Sequence, residues 1–266
     1  ARAAGREVGL LLSTHVERVH ETAGRFEVVT DNGVISAGAV VVAAGGHSLF
    51  LAQQMGYGRE LSCLPVAGSF YFAPPVLNGK VYTVQHDKLP FAAIHGDPDV
   101  LVPEATRFGP TALLLPELER YHLRSFIDFL RVVRFDGALL RVLWDLLADS
   151  DTRRYIVKNL LFEVPLIRRR LFLREARKIV PGLRARDLRF AHRVGGLRTQ
   201  LVDRIGKRLL MGEAKINPGN GILFNMTPSP GASSCLASAE DDLRAVTAHL
   251  GASFDEARFR EELENR

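Results

Sequence analysis

A chain of 266 residues that is 47% hydrophobic and 24% charged has an ordinary globular balance and room for one or two domains. Its two cysteines, Cys63 and Cys235, lie far apart and offer no CxxC, no disulfide framework and no Cys/His metal spacing, which points to a reducing, cytoplasmic setting, and no apolar run approaches the length of a membrane span. The net charge is +5, and the whole excess falls between Glu117 and Lys178, where 14 Lys/Arg face 9 Asp/Glu.

In chain order, Leu10 to His20 predicts a strand. Arg25 to Ile35 predicts a hairpin turning at Asp31-Asn32-Gly33, because Asn-Gly between β-branched runs tolerates positive φ. The apolar run Ala39 to Ala44 predicts a strand buried on both faces. It ends at Gly45-Gly46 before a helix over Ser48 to Met55. From Leu64 to Leu115 the pattern is β-like with many breakers, the candidate strands being PVAGSFYFA, KVYTVQH, PFAAIHG and RFGPTALLL. Glu117 to Lys178 predicts amphipathic helices interrupted at Pro165 and closed by Pro181-Gly182. Strands return at Leu188–Val194, Leu197–Val202 and Arg208–Glu213. The basic segment reads as a solvated helical face, a membrane-surface helix or a nucleic-acid patch; no recognition motif for DNA or RNA accompanies it, so nucleic acid ranks last.

Gly221 to Glu240 is the most informative stretch. Ile222-Leu223-Phe224 form a short strand, Thr227 to Gly231 break it, and Leu236, Ala239, Leu243, Val246 and Leu250 recur at helical spacing. Ser233 and Ser234 are good N-caps, with Glu240, Asp241 and Asp242 following. A strand feeding a Gly-containing loop at a helix N-terminus presents free N–H groups to an anion, though an ordinary βα turn has the same pattern.

Four segments in this order carry a resemblance: THVERV with the hairpin and AVVVAAGGHS; AGSFYF, KVYTVQ, FAAIHGDPD and RFGPTALL; GGLRTQLVD; and FNMTPSPGASSCLASAE. Together they resemble the C-terminal part of flavin-dependent oxidoreductases of the D-amino-acid-oxidase superfamily, within it the malate:quinone oxidoreductase and L-2-hydroxyglutarate oxidase branch. KVY and SPGAS lean toward the first, GLRTQ and the Asn225 to Ser234 loop toward the second. The resemblance implies an α/β fold of mixed α+β character: part of an FAD/NAD(P)-binding fold, a mixed-sheet substrate domain and an inserted helical segment. Its boundaries would be a partial FAD-binding domain over 1–62, a substrate domain over 63–204 with helices over 117–178, and a return to the FAD-binding domain over 205–266. The family's GxGxxG turn, which brings backbone to the pyrophosphate, is absent from the sequence, and with the start lacking Met this gives the expectation of a missing N-terminal portion.

The resemblance also implies roles. FAD would be the cofactor, approached by Val16 near the adenine, by Ala44, Gly45 and Gly46, and by Ser229, Pro230, Gly231, Ala232 and Ser233 at the flavin's pyrimidine edge. Arg198 would bind a substrate carboxylate, since a planar guanidinium matches it bidentately, and Gln200 shares its side of the strand. His95 would accept the hydroxyl proton, as a neutral imidazole can. The plain alternatives are a surface strand Arg in an ion pair and a strand-end His on a backbone carbonyl. Asp97 would shape the GDPD turn rather than orient His95. His86, His47 and His192 are weaker candidates, Cys235 reads as helix core, and Tyr71 and Tyr82 as core before pocket. The expected activity is oxidation of a small 2-hydroxy acid (malate or L-2-hydroxyglutarate type) with electrons passed to quinone or another acceptor such as O2, in a cytoplasmic protein whose basic helices would give it peripheral contact with the inner face of the membrane. The alternatives are a non-catalytic subunit that needs a separate nucleotide-binding partner and an amino-acid oxidase.

Overall fold

A computed structural model describes residues 7–84, 93–133, 136–210, 214–226 and 231–263, with only the backbone of 231–233. In chain order the elements are β1 (Val16–Thr22), β2 (Arg25–Thr30), β3 (Gly33–Ala37), β4 (Val40–Val42), α1 (Gly46–Gln54), β5 (Leu61–Ala67), β6 (Tyr71–Ala73), β7 (Val81–Tyr82), β8 (His95–Pro98), β9 (Thr106–Gly109) and β10 (Leu113–Leu114). Four helices follow, α2 (Ser125–Val132), α3 (Gly137–Ala148), α4 (Ser150–Leu161) and α5 (Arg168–Ala176). The chain closes with β11 (Arg189–Phe190), β12 (Leu197–Asp203), β13 (Arg208–Leu209), β14 (Lys215–Ile216), β15 (Ile222–Asn225), α6 (Gly231–His249) and α7 (Glu256–Leu263).

Among the described residues the strands make four sheets: β1-β2-β3, β14-β15-β4, β10-β5-β12-β13 and β11-β6-β9-β8-β7. The first is the predicted meander. Its turn residues are Asp31 and Asn32: Thr30 pairs with Gly33, and the Thr30 hydroxyl donates to the Gly33 carbonyl at 2.8 Å. Of the expected Asn-Gly pair only Gly33 takes positive φ, at 127°. Val19 and Phe26 pack from this sheet onto Val42, Leu51, Ile222 and Phe224, which joins the meander to β4, α1 and β15.

The strand expected to be buried on both faces is shorter and one-sided. Val42 is buried but Val41 is 43% exposed, because β4 is the edge strand of its sheet and its second face is uncovered among the described residues. The helix after β15 begins at Gly231 rather than at the expected Ser233 cap. Leu236, Leu243 and Leu250, expected as its core stripe, are exposed, and so is Cys235, expected as helix core. The helix is tied down by polar contacts instead, Lys215 Nζ of β14 pairing with Asp242 of α6 at 2.5 Å.

The helical block falls within the predicted range, and Pro165 stands between α4 and α5. Asp136 caps α3 by accepting from the N–H groups of Ala138 and Leu139, and it pairs with Arg204 beyond β12. Asp149 caps α4. No helix among the described residues is long and apolar enough to cross a membrane. Leu188–Val194, expected as one strand, is ordered as strand only over β11.

One aromatic cluster anchors α4 and α5 to the sheet of β6, β8 and β9. Tyr71 is fully buried, its ring stacked on Phe172 at 4.1 Å and its hydroxyl donating to the Phe162 carbonyl at 3.0 Å. Removing only the hydroxyl leaves that carbonyl without its partner, so Tyr71→Phe is expected to lower unfolding free energy by about 1 kcal/mol. Tyr71→Ala, which also empties the stack, should cost about 3–5 kcal/mol in urea denaturation.

Candidate active site and cofactor crevice

Two parallel strands define the crevice. β4 and β15 pair in register, Val42 with Phe224, and each runs on toward a helix start, α1 at Gly46 and α6 at Gly231. Both helix N-termini therefore sit beyond the carboxyl ends of adjacent parallel strands, where open α/β sheets bind ligands and where helix dipoles favour negative charge. At the first, Gly45 has φ 57° and open space where a Cβ would stand, while a Cβ on Gly46 would lie 2.9 Å from Thr199 Oγ1 and 3.1 Å from the Leu118 carbonyl. The Ser48 hydroxyl accepts from the Ala44 N–H at 2.8 Å and holds the turn.

Val16 and Ala44 line one cavity of about 690 Å³, together with His15, His47, Arg124 and Arg131. His47 lies 3.5 Å from Asp128 on its wall. Ser229, Pro230 and His86 lie outside the described residues; Gly231, Ala232 and Ser233 form the first turn of α6.

A second group of residues gathers where the two larger sheets meet, around Gly68-Ser69-Phe70. The Gly68 N–H donates to the Gly196 carbonyl at 2.9 Å, just before β12. Ser69 exchanges two bonds with Thr111, its N–H donating to Thr111 Oγ1 and its carbonyl accepting from the Thr111 N–H, both at 2.9 Å. Gly109 approaches so closely that a Cβ there would stand 2.8 Å from the Ser69 carbonyl. Arg120 donates from Nη2 to Ser69 Oγ at 2.6 Å.

His95 pairs with Gly109 on one side of this junction. It is 7% exposed, its ring 5.1 Å from that of Tyr82 and 6.4 Å from that of Phe70. Burial holds its pKa below the ordinary 6.5, and the nearby Lys80 ammonium pushes the same way, so the ring is neutral at pH 7. Its Nδ1 is 3.3 Å from the Ala93 carbonyl. Tyr82, expected as core, is 59% exposed because β7 is the outer strand of its sheet. Asp97, expected to shape a turn, is in strand β8 and pairs with Arg107 at 3.2 Å. His192 is exposed at the sheet edge against Phe190.

Arg198 stands on the other side of the junction, paired in register with Val66, and Tyr155 of α4 packs on Val66. Burial lowers the Arg198 pKa, with the Tyr155 phenol acting in the opposite direction. That phenol is itself pushed by burial up to about 12 and is neutral at pH 7. Among the described residues no carboxylate pairs with Arg198, so a half-buried cation faces a neutral partner. Gln200, two residues on, is 4% exposed, and strand alternation gives it the same side. Thr199 points the other way, toward Gly46, its hydroxyl buried without a partner. His95 and Arg198 thus belong to different sheets, joined through Ser69.

Residues 1–241 match the family model for FAD dependent oxidoreductases. The chain belongs to that family. It is 51% identical over 229 residues to a probable malate:quinone oxidoreductase of Campylobacter jejuni, covering 85% of this chain and 51% of that protein. It is 46% identical over 264 residues to the malate:quinone oxidoreductase of Helicobacter pylori, covering 96% and 59%. The chain therefore spans about half the length of the curated relatives it matches. Among solved structures, an L-amino acid deaminase from Proteus vulgaris superposes with a TM-score of 0.51 at 15% identity, over 92% of this chain and 56% of that one, which shows a shared fold. The mixed α/β architecture expected from the sequence is that of an FAD-binding oxidoreductase.

Two members of the junction have no sequence signal. Ser69 sits in an unremarkable loop, and Arg120 is one of many arginines in a basic segment; only tertiary contact unites them. The neutral buried His95 has a consequence for stability. Its folded pKa is depressed, so the unfolded chain takes up a proton first as pH falls below 6.5 and stability is lost down through the folded value. In urea titrations at stepped pH, wild-type protein should therefore lose more stability than His95→Asn over that acidic window, with the two curves parallel above pH 7.

Proposed function

We propose that this chain serves the FAD-dependent oxidation of a small 2-hydroxy acid of the malate type, with quinone as electron acceptor. The observation that carries the reading is the 46–51% identity, over 85–96% of the chain, to proteins named malate:quinone oxidoreductase. The crevice fits the cofactor on its own chemistry: two helix N-termini for an anion, an open Gly45, and Val16 and Ala44 facing one cavity. Val16, Ala44, Gly45 and Gly46 would hold one part of FAD, and Ser229, Pro230, Gly231, Ala232 and Ser233, after β15, the flavin's edge. FAD held there would supply the hydride-accepting, two-electron redox chemistry.

The protein's own groups do the rest. Arg198, with no carboxylate partner among the described residues, binds the substrate carboxylate through its planar fork. Gln200 is placed to hydrogen-bond the same ligand. His95 donates from Nδ1 toward Ala93, which leaves the Nε2 lone pair to take the hydroxyl proton as the C–H bond breaks. Being neutral at pH 7, it needs no prior deprotonation.

The helices offer a surface for meeting a membrane-borne quinone. α3 and α4 expose Leu140, Trp144, Leu147, Val157 and Leu160 beside Arg153 and Arg154. Purified complete enzyme should be yellow and reduce a soluble quinone analogue with malate. Failure with malate and every other 2-hydroxy acid would overturn the reading. His95→Asn should reduce kcat by about 10²–10⁴-fold with FAD retained. Co-sedimentation with anionic vesicles should be strong at low salt and weaken as salt rises; no binding at low salt removes the membrane contact.

A further inference from the structure

We propose that Arg120 binds the second carboxylate of a dicarboxylic substrate while Arg198 holds the first, an inference that rests on the 2-hydroxy-acid reading above. The ground is an orphaned guanidinium. Among the described residues only Nη2 of its nitrogens has an acceptor, the Ser69 hydroxyl at 2.6 Å, while Nε and Nη1 are buried without a partner. Buried donors on a charged group cost free energy when no acceptor answers them, and such a group marks a missing ligand or a strained site. Other arginines with buried donors have carboxylates: Arg107 pairs with Asp97 and Asp99, although its Nε is also without a partner, and Arg204 pairs with Asp136. Even the adjacent Glu119 turns away, 3.2 Å from His122.

Position gives the orphan its role. Arg120 is tied to Ser69, the residue that stands between the pairing partner of His95 and the strand pair carrying Arg198. Ser69 lies three residues beyond Val66, the register partner of Arg198, which is about 10 Å along an extended chain. An arginine tied to each end of that stretch matches the two carboxylates of a short dicarboxylate, with His95 on the neighbouring strand to receive the hydroxyl proton. Protein covers the two orphaned nitrogens, and the loop that carries them is strained: Tyr121, whose ring lies 4.8 Å from the guanidinium, has φ 67°. A carboxylate drawing Arg120 off that ring satisfies the donors and relaxes the loop. A monocarboxylic 2-hydroxy acid has nothing to offer there, so Arg120 sets the preference for dicarboxylates.

The test uses complete FAD-loaded enzyme and titration calorimetry with succinate and with butyrate, neither of which carries a hydroxyl to oxidise. Arg120→Met should weaken succinate by about tenfold or more and Arg120→Lys by less, since a point charge keeps attraction but loses the fork. Butyrate affinity should shift much less in both. The ratio of kcat/KM for malate to that for lactate should fall by about tenfold or more in Arg120→Met. Melting temperatures accompany each variant; if Arg120→Met does not fold, Arg120→Lys decides on the same ratios. Unchanged succinate affinity, or equal weakening of succinate and butyrate, overturns the role of Arg120. Wild-type enzyme that oxidises no 2-hydroxy dicarboxylate overturns the parent reading, whereas malate oxidation with an unchanged Arg120→Met ratio overturns this inference alone.

Discussion

The parallel pairing of Val40–Val42 with Ile222–Phe224 is the constraint on which the rest of the crevice depends. Parallel neighbours need a crossover, and here everything from α1 to β14 is the crossover. Pairing such distant segments costs loop-closure entropy, which rises only slowly with loop length, so a few ladder bonds and the Ile222, Phe224 and Val42 core suffice to hold them once both larger sheets have formed. The return is geometric. Both strands end at one edge, so α1 and α6 each follow a strand that finishes there, an arrangement neither segment specifies alone.

The intervening chain is organised around a polar junction in place of an apolar one. Ser69, Thr111, Glu163 and Asn159 link three loops and α4 by short hydrogen bonds: Thr111 Oγ1 donates to Glu163 at 2.9 Å, and the Ala112 N–H donates to Asn159 at 2.7 Å. Directional bonds of this kind fix the relative placement of two sheets more narrowly than apolar contact does, because each has a preferred angle as well as a distance. Apolar clusters on either side, one around Cys63, Leu64 and Leu201 and one around Tyr71 and Phe172, supply the bulk stability. Burial pushes the Cys63 thiol up to about 12, so the sulfur in the first cluster is packing material and not a nucleophile.

What was legible in the sequence was whatever local chemistry dictates. The Asp31-Asn32-Gly33 turn, the strand leading into Gly45-Gly46, the break at Pro165 and the strand-turn-helix at Gly221 to Glu240 each depend on residues close in sequence. Their positions hold to within a few residues. Burial was less legible, since it depends on what lies across a sheet or beside a helix. Val41 and Leu236 carry the same apolar pattern as buried neighbours and are exposed. Roles that rest on long-range contact left no trace: nothing in PELERYHLR distinguishes Arg120 from Arg124, yet one is tied to Ser69 and the other lines the cavity beside His15.

Electrostatics joins these observations. A half-buried cation that, among the described residues, has a neutral phenol and no carboxylate beside it, as Arg198 does, is unfavourable for folding on its own. An orphaned guanidinium at Arg120 adds a second such cost at the same junction. Stability would favour a carboxylate beside each, and the fold elsewhere supplies one freely, as at Asp97 with Arg107 or Asp136 with Arg204. Among the described residues none stands at these two positions, which leaves one such charge on Ser69 and another paired with Val66 three residues earlier, while the imidazole on the neighbouring strand is kept neutral by burial. An anion arriving at the junction would relieve instability of that sign, which is the physical ground for proposing that these same residues select a negatively charged ligand.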